Sequence, residues 1–126
     1  MIEKVYAAAA AGDFAGIEAL LADDVVLVQC DNHPTPGVCT GKPAVLARLG
    51  ELFQALRTTG VEVREVVANG PHRVVGIMDA LGTDVHGQPY SMPVAELFLV
   101  NDGEVTELRP DYHDLVKLRA LVGAPS

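Results

Sequence analysis

The sequence predicts an α+β fold, and three observations carry that prediction. Apolar residues recur at helical spacing through the first 57 or so positions. After Thr59-Gly60 the spacing changes to strict alternation, the period of a strand. Turn signals then punctuate the rest at Asn69-Gly70-Pro71, Val85-His86-Gly87 and Asn101-Asp102-Gly103. Helices gathered ahead of an antiparallel meander predict a curved antiparallel sheet with the N-terminal helices packed on its concave face.

Taken in order, residues 2–11 form a helix with Ile2, Val5, Tyr6 and an alanine run on its apolar side. Gly12 ends it and Asp13 caps a second helix over 14–22. The apolar run Val25 to Cys30 is a strand. Pro34, Pro36, Gly37 and Gly41 mark 31–41 as an irregular loop. Val45, Leu46, Leu49, Leu52, Phe53 and Leu56 define a third helix over about 43–57. Strands follow near 61–68, 72–82, 89–100 and 104–112, and a final short helix covers about 113–122.

The chain has 126 residues, enough for one core, and reads as one domain over 1–126. It is 49% hydrophobic and 21% charged, which excludes a disordered chain. No apolar run reaches the roughly 20 residues of a membrane span, and the first residues lack the layout of a signal peptide, so a cytoplasmic location is expected. A net charge of −8 argues against nucleic acid and anionic membrane as partners. Cys30 and Cys39 are the only cysteines and are expected as free thiols. The four histidines and two cysteines show no ligand spacing, so no metal and no cofactor is expected.

The chemistry is sought in the acids of the apolar strands, because an ionised carboxylate among apolar residues is costly unless paired or hydrogen-bonded. Asp79 shares a strand face with Ile77 and Leu81, Glu96 with Met92, Val94 and Phe98, and Asp111 with Val105, Glu107 and Arg109, continued by His113. If the three faces converge, they line an apolar pocket with a few polar groups, the composition of a small-molecule site. Each acid has a plainer alternative. Asp79 could be paired to an arginine, Glu96 could sit at an edge, and Asp111 could cap the last helix, a role for which Asp114 competes.

The order of elements and the segment Ala11-Gly-Asp-Phe-Ala-Gly-Ile-Glu-Ala-Leu-Leu-Ala-Asp-Asp24 resemble the NTF2-like superfamily. Its cone-shaped folds include ketosteroid isomerase, SnoaL-like polyketide cyclases and limonene epoxide hydrolase. The stretch from Gly87-Gln-Pro-Tyr-Ser-Met92 through Asn101-Asp-Gly to Asp111-Tyr-His-Asp114 is similar to the limonene epoxide hydrolase branch. That resemblance implies a cofactor-independent enzyme that opens an epoxide by water or by an internal hydroxyl, with paired carboxylates as base and acid. The base falls on Asp79, the acid on Asp111, and a site asparagine on Asn32. Cys30 stands where the branch has tyrosine, and Ile77 where it has the arginine that bridges the acids. Arg109, two residues before Asp111, is the replacement bridge that the sequence offers.

The pocket residues implied are Asn32, Cys30, Ile77, Leu81, Met92, Val94 and His113. Two other readings stand beside this one. A ketosteroid isomerase-like isomerase or polyketide cyclase would use Glu96 as a neutral hydrogen-bond donor or a single late acid. A non-catalytic small-molecule binder or dimerisation module would use neither. The expected partners are a small apolar organic molecule and a second copy of the chain, because superfamily members commonly pair through the outer sheet face.

Overall fold

A computed structural model of the chain describes residues 1–123. Helix α1 (Ile2–Ala10) buries Ile2, Val5, Tyr6 and Ala9, the i, i+3, i+4, i+7 set of one helical face. Gly12 reverses the chain at φ +66°. The Asp13 carboxylate then accepts from the Gly16 amide at 2.9 Å and caps α2 (Phe14–Leu20). Strand β1 (Leu21–Gln29) follows directly, then β2 (Gly37–Thr40), α3 (Lys42–Ala55), β3 (Thr58–Asn69), β4 (Arg73–Thr83), β5 (Pro89–Asn101), β6 (Glu104–Tyr112) and α4 (Leu115–Leu121).

The strands form one sheet in the order β2-β1-β6-β5-β4-β3. The α+β class, the curved sheet and the leading helices stand as the sequence predicts, with two differences. The segment 31–41 is not wholly irregular, since Gly37–Thr40 pairs with β1 (Leu27 opposite Cys39) as a short edge strand. Its prolines and glycines hide a β-prone Val-Cys-Thr. The sheet is also mixed, because β1 and β6 run parallel, Leu27 beside Leu108. After β1 the chain leaves through β2 and α3 and returns from the far edge by antiparallel turns. It therefore arrives beside β1 in the same direction, after a connection long enough for a parallel pair.

The β5–β6 hairpin turns on Asp102 and Gly103, both at positive φ (52° and 76°), the requirement of a tight hairpin loop whose twist matches its strands. Register shifts in β1–β6, β3–β4 and β5–β6 mark bulges that bend the sheet. Over the inner face lie the first three helices. Phe98, Leu21, Leu27, Met92 and Leu118 are fully buried in the core. The carboxylate of Asp114, not that of Asp111, caps the last helix by accepting from the Lys117 amide at 3.0 Å.

Candidate functional site

Between helices and sheet lies a cavity of about 70 Å³ with almost wholly apolar walls. Val5 and Tyr6 come from α1, Leu52 and Phe53 from α3, Met78 and Ala80 from β4. Its polar groups are few: Glu96 on β5, Tyr6, Thr58 at the start of β3, Gln29 at the end of β1, and Tyr112 at the end of β6. A volume equal to a few waters is below the roughly 300 Å³ at which small-ligand pockets begin. A larger ligand would enter only by displacing wall side chains, of which Met78, unbranched, is the most adaptable.

Glu96 is the one carboxyl among the described residues that line this cavity. Burial in apolar surroundings raises its pKa from 4.5 to about 7, against the Tyr6 hydroxyl, which donates to Oε1 at 3.2 Å and lowers it. Tyr6 is itself pushed far up, first by burial and then by the neighbouring Glu96 charge, so it remains a donor. Its ring lies edge-on to Phe98, 5.7 Å between centroids. Gly76, directly opposite Glu96 in the β4–β5 register, makes room for it: a Cβ there would come within 2.1 Å of the Tyr6 hydroxyl. The Tyr112 hydroxyl is also raised, by burial before the charge of Glu96.

Alternation decides where the other predicted residues go. With Met78 and Ala80 facing the cavity, Asp79 points to the outer face, as do Ile77 and Leu81. There Arg64 covers it: the guanidinium Nε donates to Asp79 at 2.8 Å, and a second nitrogen approaches the same oxygen. Arg64 also pairs with Glu62 at 3.2 Å. On β6, Leu108, Pro110 and Tyr112 face inward, which turns Arg109 and Asp111 outward and leaves both exposed. Arg109 pairs with Glu107 at 3.4 Å rather than bridging the acids.

Asp79 and Asp111 thus lie on the outer face two strands apart, opposite Pro93 and Ala95 of β5. The three predicted faces do not converge: only that of Glu96 meets the cavity. Met92 and Val94 share its inner face but belong to the core beside the cavity. Cys30, Asn32 and His113 are exposed. The Asn32 carbonyl accepts from Arg119 at 3.4 Å, and the His113 amide donates to Pro93 at 2.9 Å. Cys30 and Cys39 are free thiols.

Sequence reasoning missed Tyr6, Gln29 and Tyr112. Tyr6 carried a signal, since it completes the apolar face of α1. Gln29 had only its place on an otherwise apolar strand. Among the described residues no group of three His, Cys, Asp or Glu side chains is arranged to hold a metal ion, and no helix is long and apolar enough to cross a membrane.

No curated protein sequence matches the chain. Solved structures do, at identities that speak for the fold alone. TerC, co-crystallised with polyporic acid, is 21% identical with a TM-score of 0.80 over 98% of this chain and 95% of its own. A hypothetical protein of ketosteroid isomerase-like fold from Catenulispora acidiphila DSM 44928, in complex with trimethylamine, is 20% identical with a TM-score of 0.79, covering 98% and 92%. RV0760c from Mycobacterium tuberculosis, in complex with estradiol-17beta-hemisuccinate, is 23% identical with a TM-score of 0.70, covering 86% and 87%. Residues 2–108 match the SnoaL-like domain, so the chain belongs to the SnoaL-like family of the NTF2-like superfamily.

Proposed function

We propose that this chain is a cofactor-independent enzyme that moves a proton on a small, largely apolar carbonyl compound, with Glu96 as the base. One observation carries the reading: a single carboxyl in an apolar cavity, held by Tyr6, with a pKa brought to about 7. A general base works best when its pKa lies near the working pH, and such transfer contributes roughly 10²–10⁴-fold. The Glu96 carboxylate takes a proton from the carbon beside the carbonyl, the electron pair moves onto the carbonyl oxygen, and the carboxyl returns the proton to carbon. Return of the proton to a different carbon of a conjugated compound is an isomerisation, and removal without return is the enolisation that opens a cyclisation.

The similar structures with polyporic acid and an estradiol ester are of proteins that hold largely apolar oxygenated molecules, which supports the substrate class. Epoxide opening by Asp79 and Asp111 has less support, because their carboxylates stand on the outer face with Arg64 over the first. The outer face of β3 to β5, where Val67 and Ile77 are exposed, is the surface through which a homodimer would form.

The test is deuterium uptake at the α-carbons of small cyclic ketones in D₂O, followed by NMR. Glu96→Gln is expected to abolish the enzyme-dependent exchange, and Asp79→Asn to keep it. Exchange that survives Glu96→Gln would refute the assignment.

A further inference from the structure

Behind one wall of the cavity lies a buried polar cluster that the proton transfer does not use. His33 is 1% exposed and Gln29 3%. The Thr35 hydroxyl donates to Gln29 Oε1 at 3.0 Å, and Arg48 donates to the same oxygen at 3.4 Å and to the Thr35 carbonyl at 3.2 Å. Because an arginine can only donate, the Gln29 amide is oriented: its oxygen faces Arg48 and its NH₂ faces away.

His33 is oriented as well. The Thr35 amide donates to Nδ1 at 2.9 Å, so Nδ1 is the acceptor and the proton of the neutral ring is on Nε2. Burial keeps the ring neutral, drawing its pKa to about 4, with the Arg48 charge adding to this and a Thr35 backbone contact opposing it. The Tyr112 ring packs against the imidazole at 5.3 Å between centroids.

His33 Nε2 and Gln29 Nε2 stand 3.5 Å apart. The Gln29 NH₂ carries two hydrogens, and this one long contact leaves at least one of them for another acceptor. Gln29 lines the cavity. Leu27 pairs with Leu108, so two steps along the parallel register Gln29 is level with Pro110, and Pro110 pairs with Glu96. Gln29, Pro110 and Glu96 therefore form one row across three strands, its ends about 10 Å apart at the backbone. That span takes a hydrogen bond at one end, a proton transfer at the other, and a carbonyl with its neighbouring carbon between them.

We infer that the Gln29 amide is a hydrogen-bond-donor subsite that holds the carbonyl oxygen of the ligand, with His33, Thr35 and Arg48 as positioning residues that aim it. The choice of a carbonyl ligand rests on the proton-transfer reading of Glu96. In that reaction the oxygen gains negative charge as the α-proton leaves, and a fixed N–H donor in an apolar cavity favours the charged state over the neutral ketone. The amide cannot turn to offer its oxygen instead without setting its NH₂ against Arg48.

The experiment compares cyclohexanone with methylenecyclohexane, close in shape but with CH₂ in place of the oxygen, by NMR titration of wild type and Gln29→Met. Wild type is expected to favour the ketone by about fivefold to tenfold, the worth of one buried hydrogen bond. Gln29→Met is expected to bind both alike, with its affinity for the hydrocarbon as in wild type. Equal binding of the two by wild type, or a ketone preference that survives Gln29→Met, overturns the subsite while leaving the role of Glu96 standing. A ketone preference without any Glu96-dependent deuterium exchange removes the proton-transfer reading and keeps the subsite. Failure of both compounds to bind overturns both.

A second measurement needs no substitution. Imidazole ¹⁵N shifts of wild type at neutral pH are expected to report a neutral His33 with its proton on Nε2. A proton on Nδ1, or a charged ring, overturns the inference.

Discussion

Replacing Glu96 by glutamine should make the protein more stable, and by an amount that depends on pH. In the folded chain the Glu96 carboxyl titrates at about 7, against 4.5 when it is solvated. Below pH 4.5 it is protonated in both states and contributes no difference. Between 4.5 and 7 the unfolded chain ionises while the folded one still holds its proton, so wild-type stability falls as pH rises and levels off above 7. The whole change is about 3 kcal/mol, from about 1.4 kcal/mol for each pH unit between the two values.

Glutamine keeps an oxygen for the Tyr6 hydroxyl and carries no charge, so the variant avoids that loss. For a domain of this size about 1 kcal/mol shifts Tm by about 4 °C, so Glu96→Gln should melt level with wild type at pH 4 and about 10 °C above it at pH 8. Differential scanning calorimetry of the two proteins across that range is the assay. His33 has the opposite pull, since burial holds its pKa at about 4 and stability is lost as pH falls from 6.5 through that value. Both proteins share it, so it cancels in the difference. A gap in Tm that does not change with pH, or a variant that melts below wild type at pH 8, would refute the assignment of Glu96 as a desolvated carboxyl.

The Tyr6 hydroxyl holds the Glu96 pKa down, so Tyr6→Phe should move the rising limb of the exchange rate against pH to higher pH; an unmoved limb would mean that the hydrogen bond does not act on the base. Gly76→Ala sets a methyl group against the Tyr6 ring and hydroxyl, with approaches of 2.1 to 2.7 Å, and should cost about 1–3 kcal/mol in thermal unfolding. Because Tyr6 has to leave Glu96 to make room, the same variant should raise the Glu96 pKa, read from its carboxyl ¹³C shift. Asp79→Asn gives up the carboxylate that Arg64 covers and should lower Tm by a few degrees, yet leave ligand affinity where it was, since no part of Asp79 lines the cavity.

Most of the fold was legible because it is written in spacing. The apolar rows of α1 and α3, the alternation of β3 to β6 and the turn at Asn101-Asp102-Gly103 each specify an element locally. Strand β2 was not, since four residues framed by glycine and proline carry too little alternation to stand out. The parallel partnership of β1 with β6 was not legible either, since it joins residues far apart in sequence (Leu21 with Val105 is the first pair, Leu27 with Leu108 the last) and no local signal sets its direction.

The site turned on a question of parity. Alternation says which residues of a strand share a face, and it grouped Asp79 with Ile77 and Leu81, and Glu96 with Met92 and Phe98. It does not say which of two faces meets the helices, and exchanging them moves every side chain to the opposite surface. By the cost of burying an acid Asp79 and Glu96 look alike, since each has apolar neighbours on both sides in sequence. What separates them lies on other elements. Arg64, one strand away and fifteen residues earlier, pairs with Asp79 and covers it on the outer face of the sheet, away from the cavity. Tyr6, ninety residues earlier on α1, and the absent side chain of Gly76 set Glu96 as a single carboxyl in an apolar cavity. A carboxylate on an apolar strand therefore announces that a partner exists, and the identity of that partner, guanidinium or phenol, decides whether the acid holds the fold or is free to move a proton.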